Sequence, residues 1–376
     1  MQSGRREQVA RLFCERFGAA PGLWARAPGR VDLMGSHTDY NLGYVLTLAI
    51  SRDTWIAARA NGGREVRLYA ANLDGRDTFS LDRIERTAET PWSNYVRGVA
   101  AVLRAEGLRL DGFDGVIHST VPLEAGLSSS AALECAAALV FRALGGWSME
   151  PERMARLCQR AENEFVGVKC GILDQYSSCL GRENCALLLD CRSLSTRAVR
   201  IAEGIRPVVC NTMSRRKLSG GEYAERRADC ERGAAILGLA ALRDATPGTI
   251  AARRAELPER VARRCEFIVA ENGRVPALAA ALEAGDRAAV GRLCAESFEG
   301  ARTLFEICSP PMLAMRDAIA AAPGAIGGRQ AGAGFGGSMV AFVEADAVDA
   351  FRAAVEERYR GAEIYPVEAA AGAGLL

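Results

Sequence analysis

Apolar and charged positions alternate at helical spacing over residues 7–17, which predicts an amphipathic opening helix. RAPGRVDLMG interrupts that pattern at Pro28 and Gly29, and two strand-like runs follow, VLTLAIS and TWIAARA. Strand-type patterning continues through EVRLYAAN and TFSL. Residues 94–106 read as a helix and FDGVIHSTV as a strand. VPLEAGLSSS then enters the apolar helix AALECAAALVFRAL, a further helix covers 151–166, and a loop at CGILDQYSS precedes the strand NCALLLDC. From about residue 205 the texture changes: IRPVVCNT is strand-like, and 222–237 and 251–270 are charged helices. The remainder alternates helices with short strands, including SMVAFVE, a helix at 346–358 and AEIYPVEAA. The break near 195–206 divides the chain into an N-terminal domain, 1–200, and a C-terminal domain, 201–376.

Composition narrows what such a chain can do. Its 376 residues are enough for two ordinary domains with a sizeable core. Lys plus Arg number 47 against 46 Asp plus Glu, so a net charge of +1 provides no overall field for nucleic acid or an anionic membrane. Twelve cysteines are scattered without a CxxC pair, and His37 and His118 are the only histidines, which argues against a His-based zinc site. The opening MQSGRREQVARLF does not read as a signal peptide, and the apolar stretch near 131–144 is too short to span a bilayer. Reduced thiols in a cytoplasmic protein are the economical expectation.

Three glycine-rich segments carry candidate chemistry. In the first, Gly126, Leu127, Ser128, Ser129, Ser130 and Ala131 form a Gly/Ser turn at the start of an apolar helix. Such a turn leaves backbone N–H groups converging on one spot, where the helix dipole favours a phosphate. The serine hydroxyls add donors or Mg²⁺ ligands; a plain Ser N-cap on a buried helix is the alternative. In the second, Gly332-Ala-Gly-Phe-Gly-Gly337 matches GxGxxG, but the strand SMVAFV follows where a dinucleotide site needs a helix, so a tight glycine turn is expected. No Walker A pattern is present. In the third, Arg30, Asp32, His37 and Asp39 cluster within APGRVDLMGSHTDY, a grouping suited to a polyhydroxylated ligand or, structurally, to a salt-bridged loop.

Taken together and in order, these segments resemble those of the GHMP small-molecule kinases, and the third is similar to the galactokinase signature: GRVDLMGSHTDY against a pattern close to GRVNLIGEHTDY. The similarity runs on through AENEFVGVKCGILDQ, LLLDCRSL, GGEYAERRADCE and PVEAAAGAG. The resemblance implies an α/β fold of two domains, an N-terminal S5-like and a C-terminal ferredoxin-like one, with the active site in the cleft between them. It implies a sugar 1-kinase using ATP with Mg²⁺, and a monomer is favoured. Asp174 would be the carboxylate near the C1 hydroxyl and Arg30 its partner cation. Ser130 and Glu162 match positions that hold Mg²⁺, and Ser36, His37, Asp39, Gly171 and Tyr223 match positions lining the sugar. The chemistry suits those roles. A positioned carboxylate removing the hydroxyl proton contributes about 10²–10⁴-fold, and an adjacent guanidinium stabilises charge on the transferred phosphoryl group.

Two positions depart from the pattern. Ser36 stands where galactokinases carry a Glu that contacts the C6 hydroxyl, and losing such a bond weakens discrimination by roughly 1.5–3 kcal/mol. L-Arabinose and galacturonate thereby join galactose, the first-ranked sugar, as candidate substrates. Glu124 occupies a place where a small residue is usual and is expected to face solvent. Two further readings are a sugar- and ATP-binding sensor without turnover and a kinase of mevalonate or homoserine. The Arg30, Ser130, Glu162, Asp174 set argues against the first, and the HTDY cluster with Tyr223 against the second.

Overall fold

A computed structural model describes residues 2–123, 125–214 and 221–376, with the side chains of Gln2 and Ser3 excepted. Its strands are β1 (Leu23–Met34), β2 (Tyr44–Ala60), β3 (Glu65–Ala70), β4 (Gly75–Ser80), β5 (Phe113–Ser119), β6 (Cys185–Asp190), β7 (Thr196–Arg200), β8 (Ile205–Asn211), β9 (Ala325–Gln330), β10 (Ser338–Glu344), β11 (Glu363–Pro366) and β12 (Gly374–Leu375). The helices are α1 (Gln2–Phe17), α2 (Ser93–Ala105), α3 (Ser129–Gly145), α4 (Pro151–Arg160), α5 (Leu173–Leu180), α6 (Glu222–Ile236), α7 (Pro247–Ala252), α8 (Glu259–Ala284), α9 (Arg287–Thr303), α10 (Pro310–Ala320) and α11 (Val348–Arg358).

Among the described residues the strands form two sheets. One runs β12-β1-β2-β5-β3-β4, with β6 and β7 branching from β2; the other runs β11-β8-β10-β9. Neighbours are antiparallel except β3 beside β5. The first sheet takes in every strand up to β7, yet its edge is completed by β12, which follows the whole second sheet in sequence.

The 23–34 segment is one continuous strand, although Pro28-Gly29 reads as a break in the sequence. A register shift between Pro28 and Arg30 resolves the conflict, since a bulge accommodates a residue without a donor and one without a side chain. VLTLAIS and TWIAARA likewise join as the single long strand β2. Because side chains alternate across a strand, the shift also sorts them. Ala25 and Ala27 pack with Ile56, Phe113, Phe141 and Tyr176 under α2–α5, whereas Val31 and Leu33 pack with Leu278, Val340 and Phe342 toward α8 and the second sheet. Each such fully buried Val, Leu or Phe contributes about 1.5–3 kcal/mol. A single apolar layer thus joins both sheets behind the bulge, and the bulge itself is free to present Arg30.

Other expected elements shift in extent. The helix predicted over 151–166 is α4 followed by a π-helical turn at Ala161–Val166, the kind of irregular turn that often marks a functional site. The helix predicted at 251–270 is α8, which starts later and continues to Ala284. Gly332–Gly337 is the turn between β9 and β10, a hairpin rather than a dinucleotide loop. No described helix is long and apolar enough to cross a membrane. Glu124 lies outside the described residues.

Candidate active site

The bulge in β1 and the turn ahead of α3 lean on each other. Arg30 N–H donates to the Leu127 carbonyl at 3.0 Å. A Cβ on Gly29 would stand 2.6 Å from that same carbonyl oxygen, so the close approach needs glycine there. From the other sheet, the Ser338 hydroxyl donates to the Ala125 carbonyl at 2.7 Å. The Gly126–Ala131 turn is therefore pinned from both sheets. Ser128 caps α3 in the left-handed conformation at φ 57° without using its hydroxyl as a cap, and that buried hydroxyl has no hydrogen-bond partner among the described residues. The first N–H groups of α3 lack intrahelical acceptors and converge at its tip. Ala131 and Leu127 are buried beneath that tip, while Ser129 and Ser130 are part-exposed on it.

Arg30 closes the arrangement. Its Nη1 donates to the Gly126 carbonyl at 2.7 Å and its Nε to Asp174 Oδ1 at 2.8 Å. Asp174 sits in the first turn of α5, and its side chain keeps 20% exposure against 7% for Arg30. The guanidinium thus ties the carboxylate to the phosphate-type turn, and the carboxylate still reaches solvent. The fold brings the pair together although 144 residues separate them in sequence.

Glu162, on the π-helical turn, completes the anionic side. It is buried and accepts from Gln175 Nε2 at 2.7 Å and from the Cys170 thiol at 3.2 Å. Burial and then the neighbouring Asp174 charge hold it above the ordinary carboxylate range. A divalent cation would relieve both penalties. Ser130 and Glu162 are hard oxygen donors, and Mg²⁺ characteristically takes one or two carboxylates plus substrate phosphates, so the residues fit that ion. Gln175 also donates to Glu134 Oε2 at 2.9 Å, and burial, with the Glu162 charge, pushes that second carboxyl well up. Sequence reasoning missed Glu134 and Gln175. Gln175 stood next to Asp174 in the quoted GILDQ, but a glutamate within AALECAAALV gives no signal until folding buries it.

The positions expected to line a sugar lie close to one another and within electrostatic reach of Asp174. His37, at φ 67°, has Nδ1 2.8 Å from the Tyr40 hydroxyl and Nε2 2.9 Å from the Ala333 carbonyl in the glycine hairpin. Tyr223, from α6, stacks 5.1 Å from the His37 ring and 5.7 Å from Tyr40. Asp39 is buried against Gly171, where any Cβ would overlap its Oδ2. Burial pushes Asp39 up to about 7, Asp174 and Asp32 add to the rise, and the Tyr40 N–H opposes it. Its Oδ1 has no hydrogen-bond partner among the described residues. Ser36 lies deeper: it is 1% exposed, and its hydroxyl is engaged by Asp32 and Arg329. Arg329, placed just before the glycine hairpin, was not singled out from sequence, because its partners lie across the fold.

Comparison with known proteins places this geometry. Residues 11–60 match the galactokinase galactose-binding signature, 94–182 the GHMP kinases N terminal domain, and 278–361 the GHMP kinases C terminal domain. A galactokinase of Roseiflexus sp. is 43% identical over 98% of this chain and 96% of its own length. One from Chloroflexus aggregans is 44% identical over 96% and 95%. The crystal structure of Lactococcus lactis galactokinase complexed with galactose superposes with a TM-score of 0.94 at 31% identity, covering 98% of this chain and 99% of that one. Methanococcus jannaschii mevalonate kinase shares the fold at a TM-score of 0.68 and 16% identity, covering 92% and 98%. With the arginine–carboxylate pair seated on a serine-rich helix tip and relatives matched along nearly its whole length, the chain belongs to the galactokinase family of GHMP kinases.

Proposed function

We propose that the protein transfers the γ-phosphoryl group of ATP to the anomeric C1 hydroxyl of galactose, giving galactose 1-phosphate and ADP. The observation that carries this reading is the Arg30–Asp174 contact at the tip of α3, within a chain of galactokinase type. Asp174 Oδ1 takes the guanidinium hydrogen bonds, so Oδ2 is the oxygen that accepts the hydroxyl proton as the O–P bond forms. Arg30 bridges base and phosphate turn, which places its charge where the phosphoryl oxygens become more negative. The N–H groups of Ser129, Ser130 and Ala131 receive the nucleotide phosphates beside Gly126, Leu127 and Ser128. Ser130 and Glu162 would hold Mg²⁺, whose part is to neutralise charge on the phosphates. His37, Asp39, Gly171 and Tyr223 would line the sugar, with Asp39 Oδ1 available to accept from a ring hydroxyl. A two-sheet architecture supports a division near residue 200, and a cytoplasmic location fits the reduced cysteines.

One observation favours a second substrate. The Ser36 hydroxyl is taken up by protein partners, so L-arabinose, which has no hydroxymethyl group to anchor, should be phosphorylated too. A coupled ADP-release assay with Mg-ATP across galactose, L-arabinose, galacturonate and mevalonate tests the proposal. Turnover of galactose to a 1-phosphate is expected; no ADP release with any of the four would leave the non-catalytic sensor reading in its place.

A further inference from the structure

Below the 36–39 turn lies a buried charge cluster that phosphoryl transfer leaves unused. Arg329 on β9 is fully buried. Its Nη2 donates to Glu271 Oε1 and to Ser36 Oγ, each at 2.9 Å, and its Nε to Ser297 Oγ at 3.0 Å. Its Nη1 lies 3.8 Å from Asp32 Oδ2. The Ser36 hydroxyl donates to that same Asp32 oxygen at 2.7 Å, and Glu271 Oε2 accepts from Arg274 Nε at 2.9 Å. Two carboxylates thus face two guanidinium groups, and the cluster is balanced. Burial holds Asp32 above the ordinary carboxylate range, although Arg329 opposes the rise.

The balance restricts residue 36. A hydroxyl has one proton, and Ser36 gives its own to Asp32 while its oxygen accepts from Arg329, so at 1% exposure it has no proton to offer a ligand. A carboxylate at 36 would add a third buried negative charge beside Asp32 and Glu271, and such groups cannot all stay ionised cheaply. The cluster therefore has room for one acid, at 32 or at 36.

We infer that Asp32 is a specificity-determining residue: it supplies the counter-charge of Arg329 from beneath, closes the Ser36 hydroxyl, and so removes any anchor for the sugar's exocyclic group. The inference rests on the galactokinase reading for its sugar preference, but not for its electrostatics. It predicts a wild-type enzyme whose kcat/KM values for galactose and L-arabinose lie within about tenfold of each other, the worth of one hydrogen bond.

A double-variant cycle tests it, with Asp32→Asn, Ser36→Glu and the two combined. Each protein is measured for kcat/KM on both sugars and for its melting temperature. Ser36→Glu alone should melt lower than wild type and lose about tenfold or more on both sugars. The double variant should recover stability and raise the galactose preference about tenfold or more above wild type. Additive melting shifts, or a Ser36→Glu protein matching the double variant in preference, would overturn the inference. So would a wild-type preference for galactose above about a hundredfold. Turnover of neither sugar by wild type would instead remove the galactokinase reading, and the melting cycle alone would then decide whether residues 32 and 36 share one charge.

Discussion

Asp174 is asked to be both held and accessible, and its surroundings supply the two conditions separately. Arg30 fixes one oxygen, and partial exposure leaves the other open to solvent. Asp174→Asn keeps the shape but cannot take a proton. It should lower kcat by about 10²–10⁴-fold with sugar binding retained, as measured by steady-state kinetics beside calorimetric titration. Asp39 makes a pH prediction. An aspartate in the unfolded chain titrates near ~3.9, whereas burial raises Asp39 to about 7 in the fold. The folded state therefore binds more protons between those values, and the contribution falls as pH rises through 7, being fully present only below the unfolded pKa. Asp39→Asn should consequently melt above wild type at pH 8, with the difference closing toward pH 4; a pH-independent difference would contradict this. The candidate site residues were legible because each sits inside a short motif. Arg329 and Glu271 were not, since a buried ion pair between residues 58 positions apart leaves no local mark on either.

At the level of elements, the bulged strand β1 and the tip of α3 form one working unit. Their contact is backbone to backbone, so its tightness depends on Gly29 having no side chain. Gly29→Ala should displace the Leu127 carbonyl, cost about 1–3 kcal/mol, and raise the KM for ATP more than that for sugar. Thermal melts and the two KM values check it, and unchanged nucleotide KM would mean the turn moves independently of the strand. Hydrophobic periodicity located most helices and strands, because alternation and helical spacing follow directly from which face is buried. It misread β1, where Pro28 and Gly29 act as a bulge inside a strand rather than as its end, because the pairing that rescues such residues comes from β2. Sequence likewise gave no warning of the π-helical turn that carries Glu162, since an inserted residue in a helix leaves the composition unchanged.

For the molecule as a whole, residues 372–376 are the least expected part of the design. Gly372 and Ala373 donate to the Gly181 and Ser178 carbonyls at 2.7 and 2.8 Å, and Leu376 donates to Trp24 at 2.9 Å. That short run stitches the end of α5 to β1, the two elements that bring Asp174 and Arg30 together. Deleting 372–376 should lower the melting temperature by on the order of 5 °C and reduce turnover more than substrate affinity. A truncated protein with wild-type stability would show the strand to be ornamental. The return of the chain to its first sheet was invisible in the sequence, because two residues of strand carry no periodicity. The same stitch sets an order on the ribosome. A nascent chain paused near residue 200 would hold the arginine-bearing strand with one flank open, awaiting a neighbour not yet translated. An N-terminal half expressed alone would keep that flank uncovered until a segment carrying residues 374–375 is supplied.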